Sequence, residues 1–292
     1  MRMELAGKDK EQFSRVYIKL IIMSVTAKAG PLKQEFQFGQ WCVTSTKDHI
    51  LESDGPERQR FETELKLPQL PEMIFANNKL RLVHTDGFGI EFNALDALRL
   101  VDAEHDLMKV AVADAWREAR ADCEHINHIA KPYDWTYSSN YTGTLLGEED
   151  SKLQVTETTE RIDLEKLKVK EKIYFYEDLL LFEDELSDNG SSMLSVKIRV
   201  MPSSFFILQR FYLRVDNLLI RENDTRIYHE GGKNYILREF TCKEKPFTEI
   251  KAPLHIIIDP AEVSNFLDLK EYRFEKLEFP KVSCTQAAEV PR

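Results

Sequence analysis

The chain has 292 residues, enough for one large domain or two small ones. Its hydrophobic fraction of 42% and aromatic fraction of 10% supply a sizeable core and exclude wholesale disorder. With 40 basic against 50 acidic residues the net charge is −10, which argues against general nucleic-acid binding, because a basic footprint supplies most of that affinity.

The N-terminal run Val16 to Val25, followed by Ala27-Lys28-Ala29, is the one stretch that resembles an export signal. Lys19 interrupts it, and Glu4, Asp9 and Glu11 stand where a signal peptide carries positive charge. It is also shorter than the ~20 apolar residues of a membrane span. Residues 1–30 read as an extension outside the fold, with Met23 as an alternative start. A single domain is expected over 31–281, and 282–292, small and polar without periodicity, reads as a disordered tail.

Gln34 to Thr46 reads as extended. Leu80 to His84 and Ile90 to Phe92 flank a glycine-containing turn and read as a β-hairpin. Asn93 suits a helix N-cap, with Asp96 in the capping-box position three residues on. A second helix is expected from Asp106 to Arg120. Val169, Ile173, Tyr176 and Leu180 share one helical face, so the spacing predicts a helix over Ile162 to Leu180 with Asp163 as its cap. The period then drops to two. Phe182 to Leu186 and Leu194 to Met201 read as a hairpin around Asn189-Gly190. Phe205 to Val215, Leu218 to Arg221, Arg226 to Tyr228 and Asn234 to Phe240 continue as strands, with Glu222-Asn223-Asp224 read as a turn. Short connections favour antiparallel pairing, so the expected class is α+β: one or two large antiparallel sheets with flanking helices in a single domain.

Strand alternation in Val196 to Met201 sends Val196, Ile198 and Val200 to one face and Lys197, Arg199 and Met201 to the other. In Phe205 to Val215 it sets Ile207, Gln209, Phe211 and Leu213 against Leu208, Arg210, Tyr212 and Arg214. With Arg221 and Arg226 this makes six basic residues against three acidic ones, Asp216, Glu222 and Asp224, a local basic strip in an acidic protein. Two readings stand. The strip takes an acidic or carboxylate-terminated peptide, since Arg pairs bidentately with carboxylate; or its cations pair with Glu183, Asp184 and Glu185 on the adjoining strand.

Enzyme signatures are weak. There is no Gly-x-Ser-x-Gly elbow, P-loop or dinucleotide glycine pattern. Glu183 and Glu185 share a strand face and support an alternative reading as hydrolase carboxylates, against a solvated edge. Cys123, His125 and His128 have a spacing open to a metal, against a plain solvated loop; no metal or other cofactor is expected. The four cysteines are scattered and read as reduced thiols, so a cytoplasmic location is expected. Trp135 and Tyr137 either pack over the core or line a groove.

Several strings carry a more specific signal. They are Leu70-Pro71-Glu72-Met73-Ile74-Phe75, Gly87-Phe88-Gly89-Ile90-Glu91-Phe92-Asn93-Ala94, Lys131-Pro132-Tyr133-Asp134-Trp135-Thr136-Tyr137 and Gly143-Thr144-Leu145-Leu146-Gly147-Glu148. With them stand Leu181-Phe182-Glu183-Asp184-Glu185-Leu186, the run Ser195 to Phe206, and Arg221-Glu222-Asn223-Asp224-Thr225-Arg226. In order and spacing these resemble the TOR signalling pathway regulator-like family, over about Phe36 to Pro280. The resemblance implies a non-catalytic regulator that binds catalytic subunits of type 2A protein phosphatases, inhibiting or chaperoning them within TOR signalling. It implies scaffold proteins of phosphatase assembly as further partners, and neither nucleic acid nor membrane is expected as one. It also implies a cleft for the phosphatase's C-terminal tail, with contacts from Asp96, Ile162, Asp163, Glu222 and Asp224. The strip residues Lys197, Arg199, Met201, Arg210, Tyr212 and Arg214, and Trp135, complete the expected binding set.

Overall fold

The structure is a computed structural model and describes residues 30–65, 67–102 and 134–280. The expected extension, the tail, the helix over Asp106 to Arg120 and the Cys123–His128 cluster lie outside or almost wholly outside those residues.

Thirteen strands are described: β1 (Leu32–Phe38), β2 (Trp41–Lys47), β3 (Met73–Ile74), β4 (Lys79–His84), β5 (Gly89–Asn93), β6 (Thr144–Leu146), β7 (Gln154–Glu157), β8 (Phe175–Asp184), β9 (Gly190–Val200), β10 (Ser204–Val215), β11 (Leu219–Glu230), β12 (Tyr235–Pro246) and β13 (Asp268–Glu278). They form a five-stranded sheet, β1-β2-β4-β5-β6, and an eight-stranded sheet, β3-β8-β9-β10-β11-β12-β13-β7. The helices are short: α1 (Pro56–Leu65), α2 (Ala94–Leu98), α3 (Leu164–Lys168) and α4 (Leu254–Ile257). The class is therefore α+β, and the larger sheet is a run of antiparallel hairpins from β8 to β13.

The two sheets share one core. Trp41, Val43, Leu80, Leu82, Ile90 and Phe92 from the smaller sheet join Val196, Ile198, Phe205, Ile207, Phe211 and Leu213 from the larger in a single buried cluster. Trp41 meets Phe205 edge-on, with ring centres 5.7 Å apart. Burying side chains of this size contributes about 1.5–3 kcal/mol each, and the period-two pattern fixes which face of each strand takes part. Polar seams close the edges: Glu177 on β8 accepts from Ser45 at 3.3 Å and pairs with Lys47 at 2.8 Å on β2.

The hairpin over β4 and β5 forms as the sequence indicates, with Leu82 opposite Ile90. Asn93 caps α2: its Oδ1 accepts the Asp96 N–H at 2.8 Å, while its Nδ2 donates to the Asp96 carboxylate at 2.9 Å. The hairpin of β8 and β9 also forms, but its left-handed residues are Leu186, Ser187 and Asp188 rather than Asn189. Asp184 makes this possible by accepting the Leu186 N–H at 2.7 Å. Gly190 opens β9 at φ 153°, where an added Cβ would sit 1.9 Å from the Arg214 carbonyl oxygen.

Two expectations are corrected. The helix over Ile162 to Leu180 shrinks to α3, capped by Asp163 as expected, and the chain is extended from Phe175 onward. Its apolar stripe has no core to face: Val169, Ile173 and Tyr176 are 61%, 49% and 53% exposed. The Glu222-Asn223-Asp224 turn does not exist either. Those residues lie in the middle of β11, because Arg210 across the ladder takes up both acids and the Asn223 amide donates to the Ser139 carbonyl at 3.0 Å.

Candidate binding face

One face of the eight-stranded sheet makes the shared core; the other carries the basic strip. Alternation and register place Lys197 and Arg199 (β9), Leu208, Arg210, Tyr212 and Arg214 (β10), and Glu222, Asp224 and Arg226 (β11) on this outer face. Arg221 is one residue out of phase. It points to the opposite side of β11 and pairs with Glu244 at 2.6 Å, so it is not part of the strip.

Both ends of the outer face are roofed. At one end residues 247–267 fold back, and Ile250, Ile257, Val263 and Leu267 bury Tyr212 and Ile220. At the other, Ile162 and Leu167 pack on Phe206, Tyr228 and Leu237. Under the first roof Arg210 forms a two-pronged pair with Asp224, at 2.7 and 2.8 Å, and donates to the Pro260 carbonyl at 2.6 Å. Burial works against its charge, but the Asp224 and Glu222 carboxylates outweigh that and raise its pKa. Arg226 shares Asp224 at 2.7 Å. Glu222 accepts from Ser264 at 2.6 Å and lies 3.3 Å from Arg210, while its second oxygen has no partner among the described residues. Burial, and then the neighbouring Asp224 charge, push the Glu222 pKa up.

Lys197 pairs with Asp178 at 2.9 Å and Arg214 with Asp216 at 2.8 Å. The strip is thus largely neutralised from within, by Asp178, Asp216, Glu222 and Asp224 rather than by Glu183, Asp184 and Glu185. Asp184 is instead spent on the backbone N–H groups of Glu72 and Leu186.

Arg199 is the exception. It pairs with no carboxylate among the described residues; its Nη2 donates to the Leu167 carbonyl at 3.3 Å, its guanidinium lies 5.2 Å from the Phe206 ring centre, and its buried Nε has no partner. It lines a cleft of about 520 Å³ with Met201 and Tyr228 on the floor and Lys166, Lys168 and Lys170 along the wall. Lys166 is held by Glu230 at 3.2 Å and Lys168 by Glu165 at 2.6 Å, whereas Lys170 has no carboxylate among the described residues. The exposed Val169 and Ile173 border the same cleft. Chemically, this is a place for an anion attached to an apolar chain.

The remaining expected residues are dispersed. Asp96 belongs to the smaller sheet's end, held by Thr144 at 2.6 Å and Arg99 at 2.7 Å. Burial alone would raise its pKa, but those partners and Asn93 hold it down. Trp135 is half-buried against the main core. Ile162 is buried and its N–H donates to Glu239 at 2.7 Å; Asp163 is exposed and occupied as the α3 cap. Tyr212, Glu222 and Asp224 are buried, so in this conformation they shape the face from beneath and cannot touch a partner directly, whereas Met201, though mostly buried, lines the cleft. Glu183 is half-buried and Glu185 exposed; burial and the Glu185 charge raise the Glu183 pKa, but neither lines the cleft at Arg199. Sequence reasoning missed Lys166, Lys170 and Tyr228. The alternation of Lys166, Lys168, Lys170 and Lys172 was the available signal, hidden by the apolar spacing that suggested a helix.

Fold and face together define a two-sheet α+β protein with a roofed, internally neutralised sheet face and an open basic cleft at Arg199. The chain belongs to the TIP41-like family, whose model matches residues 73–251. It is 53% identical over 249 residues to the TIP41-like protein of Rattus norvegicus, covering 85% of this chain and 91% of that one. It is 46% identical over 229 residues to the TIP41-like protein of Dictyostelium discoideum, covering 75% and 82%. It is also similar to the type 2A phosphatase activator TIP41 of Saccharomyces cerevisiae, 40% identical over 228 residues, covering 73% of this chain and 63% of the yeast protein.

Proposed function

We propose that this protein is a non-catalytic regulator that binds the catalytic subunit of type 2A-family protein phosphatases in the cytoplasm and acts within TOR signalling, restraining or chaperoning that subunit. The observation that carries the reading is its likeness to a relative named as a type 2A phosphatase activator. The cleft at Arg199 gives it a physical form: an acidic C-terminal tail sets its free carboxylate against Arg199 and Lys170 and lays its apolar side chains on Met201, Tyr228 and Val169. A half-buried guanidinium with no carboxylate partner among the described residues loses little on binding an anion, so a carboxylate there gains a charge-assisted bond at low cost. The free thiols of Cys42 and Cys242 suit a reducing compartment.

Co-precipitation of the catalytic subunit, intact and lacking its last residues, tests the reading. Capture of the intact form, lost on tail deletion and on Arg199→Glu, supports it. Capture indifferent to both removes the tail from the proposal, and no capture removes the partner.

A further inference from the structure

The turns β1–β2, β9–β10 and β11–β12 meet around a second cleft, of about 860 Å³, separate in chemistry from the basic one. That volume lies in the range of small-molecule and side-chain sites. Its inner wall is aromatic. Trp41 and Phe279 have ring centres 5.6 Å apart, and the imidazoles of His84 and His229 lie 5.4 and 5.6 Å from Phe279.

Both imidazoles are nearly buried, 5% and 4% exposed, and their nitrogens are used differently. His84 has both engaged, Nε2 with the Gln40 side-chain oxygen at 3.2 Å and Nδ1 with the Asp86 N–H at 3.3 Å. His229 Nδ1 sits 2.9 Å from the Tyr235 carbonyl oxygen, which can only accept, so Nδ1 carries the hydrogen. Burial lowers the pKa of His229, and His84 adds to that, so the ring is neutral near pH 7 and Nε2 is a lone-pair acceptor. No described residue donates to it. Nε2 is not enclosed, so it presents an open acceptor in an aromatic wall, and a ligand that brings both a ring and a donor matches it.

Other ligand classes fit poorly. A metal ion needs several donors, and no group of three or more His, Cys, Asp or Glu side chains gathers among the described residues. A phosphate meets neutral rings and the Asp86 carboxylate at the rim, with Lys233 as the lining cation.

We propose that this cleft binds a planar aromatic ring carrying one hydrogen-bond donor, a phenol or an indole, with the donor on His229 Nε2 and the ring laid against the cleft side of Phe279. The ring comes either from a free small molecule or from a Tyr or Trp side chain of another protein. This inference stands independently of the type 2A reading.

The test titrates the full chain with p-cresol and with 4-methylanisole, the same ring with its donor methylated, and follows the imidazole nitrogens by NMR. The expected result is a p-cresol preference of about fivefold to tenfold, the worth of one neutral hydrogen bond, together with a shift of the His229 Nε2 resonance. His229→Phe should abolish the preference. Phe279→Ala, at the rim, should weaken both ligands and keeps the test open if the histidine variant misfolds. Equal affinities, or p-cresol binding that leaves His229 Nε2 unmoved, overturn the proposal. A Gly-Gly-Tyr-Gly-Gly peptide that moves the same resonance at least as strongly assigns the ring to a protein side chain. Response to p-cresol with the peptide excluded assigns it to a free molecule. Silence from both overturns it.

Discussion

Arg210 and Arg199 lie on adjacent strands of one sheet face, yet they meet opposite fates. Arg210 is enclosed by Asp224, Glu222 and the Pro260 carbonyl beneath the 247–267 roof. Arg199 has only the Leu167 carbonyl and the Phe206 ring, and opens on a cleft. A desolvated, fully paired cation has nothing left to offer a ligand, whereas a desolvated, incompletely paired one is poised to accept an anion. The same residue type on the same sheet face is thus closed off at one end and left open at the other, and local acids decide which.

The comparison breaks most visibly at Arg210. Arg210→Ala removes the cation shared by Glu222 and Asp224, leaving Asp224 with Arg226 alone, and unties the roof, so unfolding free energy should fall by about 3–5 kcal/mol. Urea denaturation followed by far-UV circular dichroism measures it. Arg199→Ala, by contrast, should leave stability within about 1 kcal/mol, because it strands no carboxylate. Comparable losses from both would erase the distinction between the two ends.

Binding should show the reverse order. Arg199→Ala should weaken a carboxylate-terminated tail peptide by about tenfold to a hundredfold in calorimetric titration, the scale of a charge-assisted hydrogen bond. Amidating the peptide's C-terminus should cost the wild type a similar factor and Arg199→Ala almost nothing. Equal sensitivity of both proteins to amidation would separate Arg199 from the carboxylate.

How far this pattern was legible in the sequence depended on what each signal encodes. Alternation in Val196 to Val200 and Ile207 to Leu213 identified the core face, since a period of two leaves no freedom once one face is buried. The strip's membership followed from the same rule for Lys197, Arg199, Arg210 and Arg214. Arg221 failed it because Glu222 to Asp224 looked like a turn; only a cross-strand cation makes three polar residues tolerable in mid-strand, and pairing across a ladder is not written in local sequence. Likewise the apolar spacing from Val169 to Tyr176 matched a helix, but a stripe predicts burial only if something exists to cover it. The two roofs, and therefore which arginine is closed off, depend on returns of segments some 30 to 50 residues away in the chain, as in Arg210 with Pro260 (|i−j| 50) and Arg199 with Leu167 (|i−j| 32).

Titration sharpens the closed end. Glu222 has its pKa raised from the ordinary 4.5 by burial and by Asp224, so the folded state holds this proton more tightly than the unfolded chain does. Its contribution is therefore most favourable below about pH 4.5 and is lost as pH rises through the higher folded value. Glu222→Gln keeps an acceptor for Ser264 but cannot ionise. Its stability relative to wild type should improve as pH rises through that window and flatten beyond it, in melting curves recorded from pH 4 to 8. A difference constant across the range would mean that Glu222 does not titrate there.

The smallest effect tests the open end's wall. Asp163 accepts the N–H groups of Glu165 and Lys166 at 3.0 and 3.3 Å and so holds the single turn from which Lys166 and Lys168 project into the cleft. A cap is typically worth about 1 kcal/mol, or roughly a fivefold change in local opening. Asp163→Ala should therefore speed hydrogen exchange at the 165 and 166 amides by about fivefold while leaving the β9 and β10 amides unchanged. Tail-peptide affinity should drop less than in Arg199→Ala, since the turn positions lysines already paired with Glu230 and Glu165, whereas Arg199 sits in the sheet and needs no turn to hold it. If removing the cap cost as much affinity as removing Arg199, recognition would reside in the turn's lysines, and the contrast between the two arginines would no longer explain where a ligand binds.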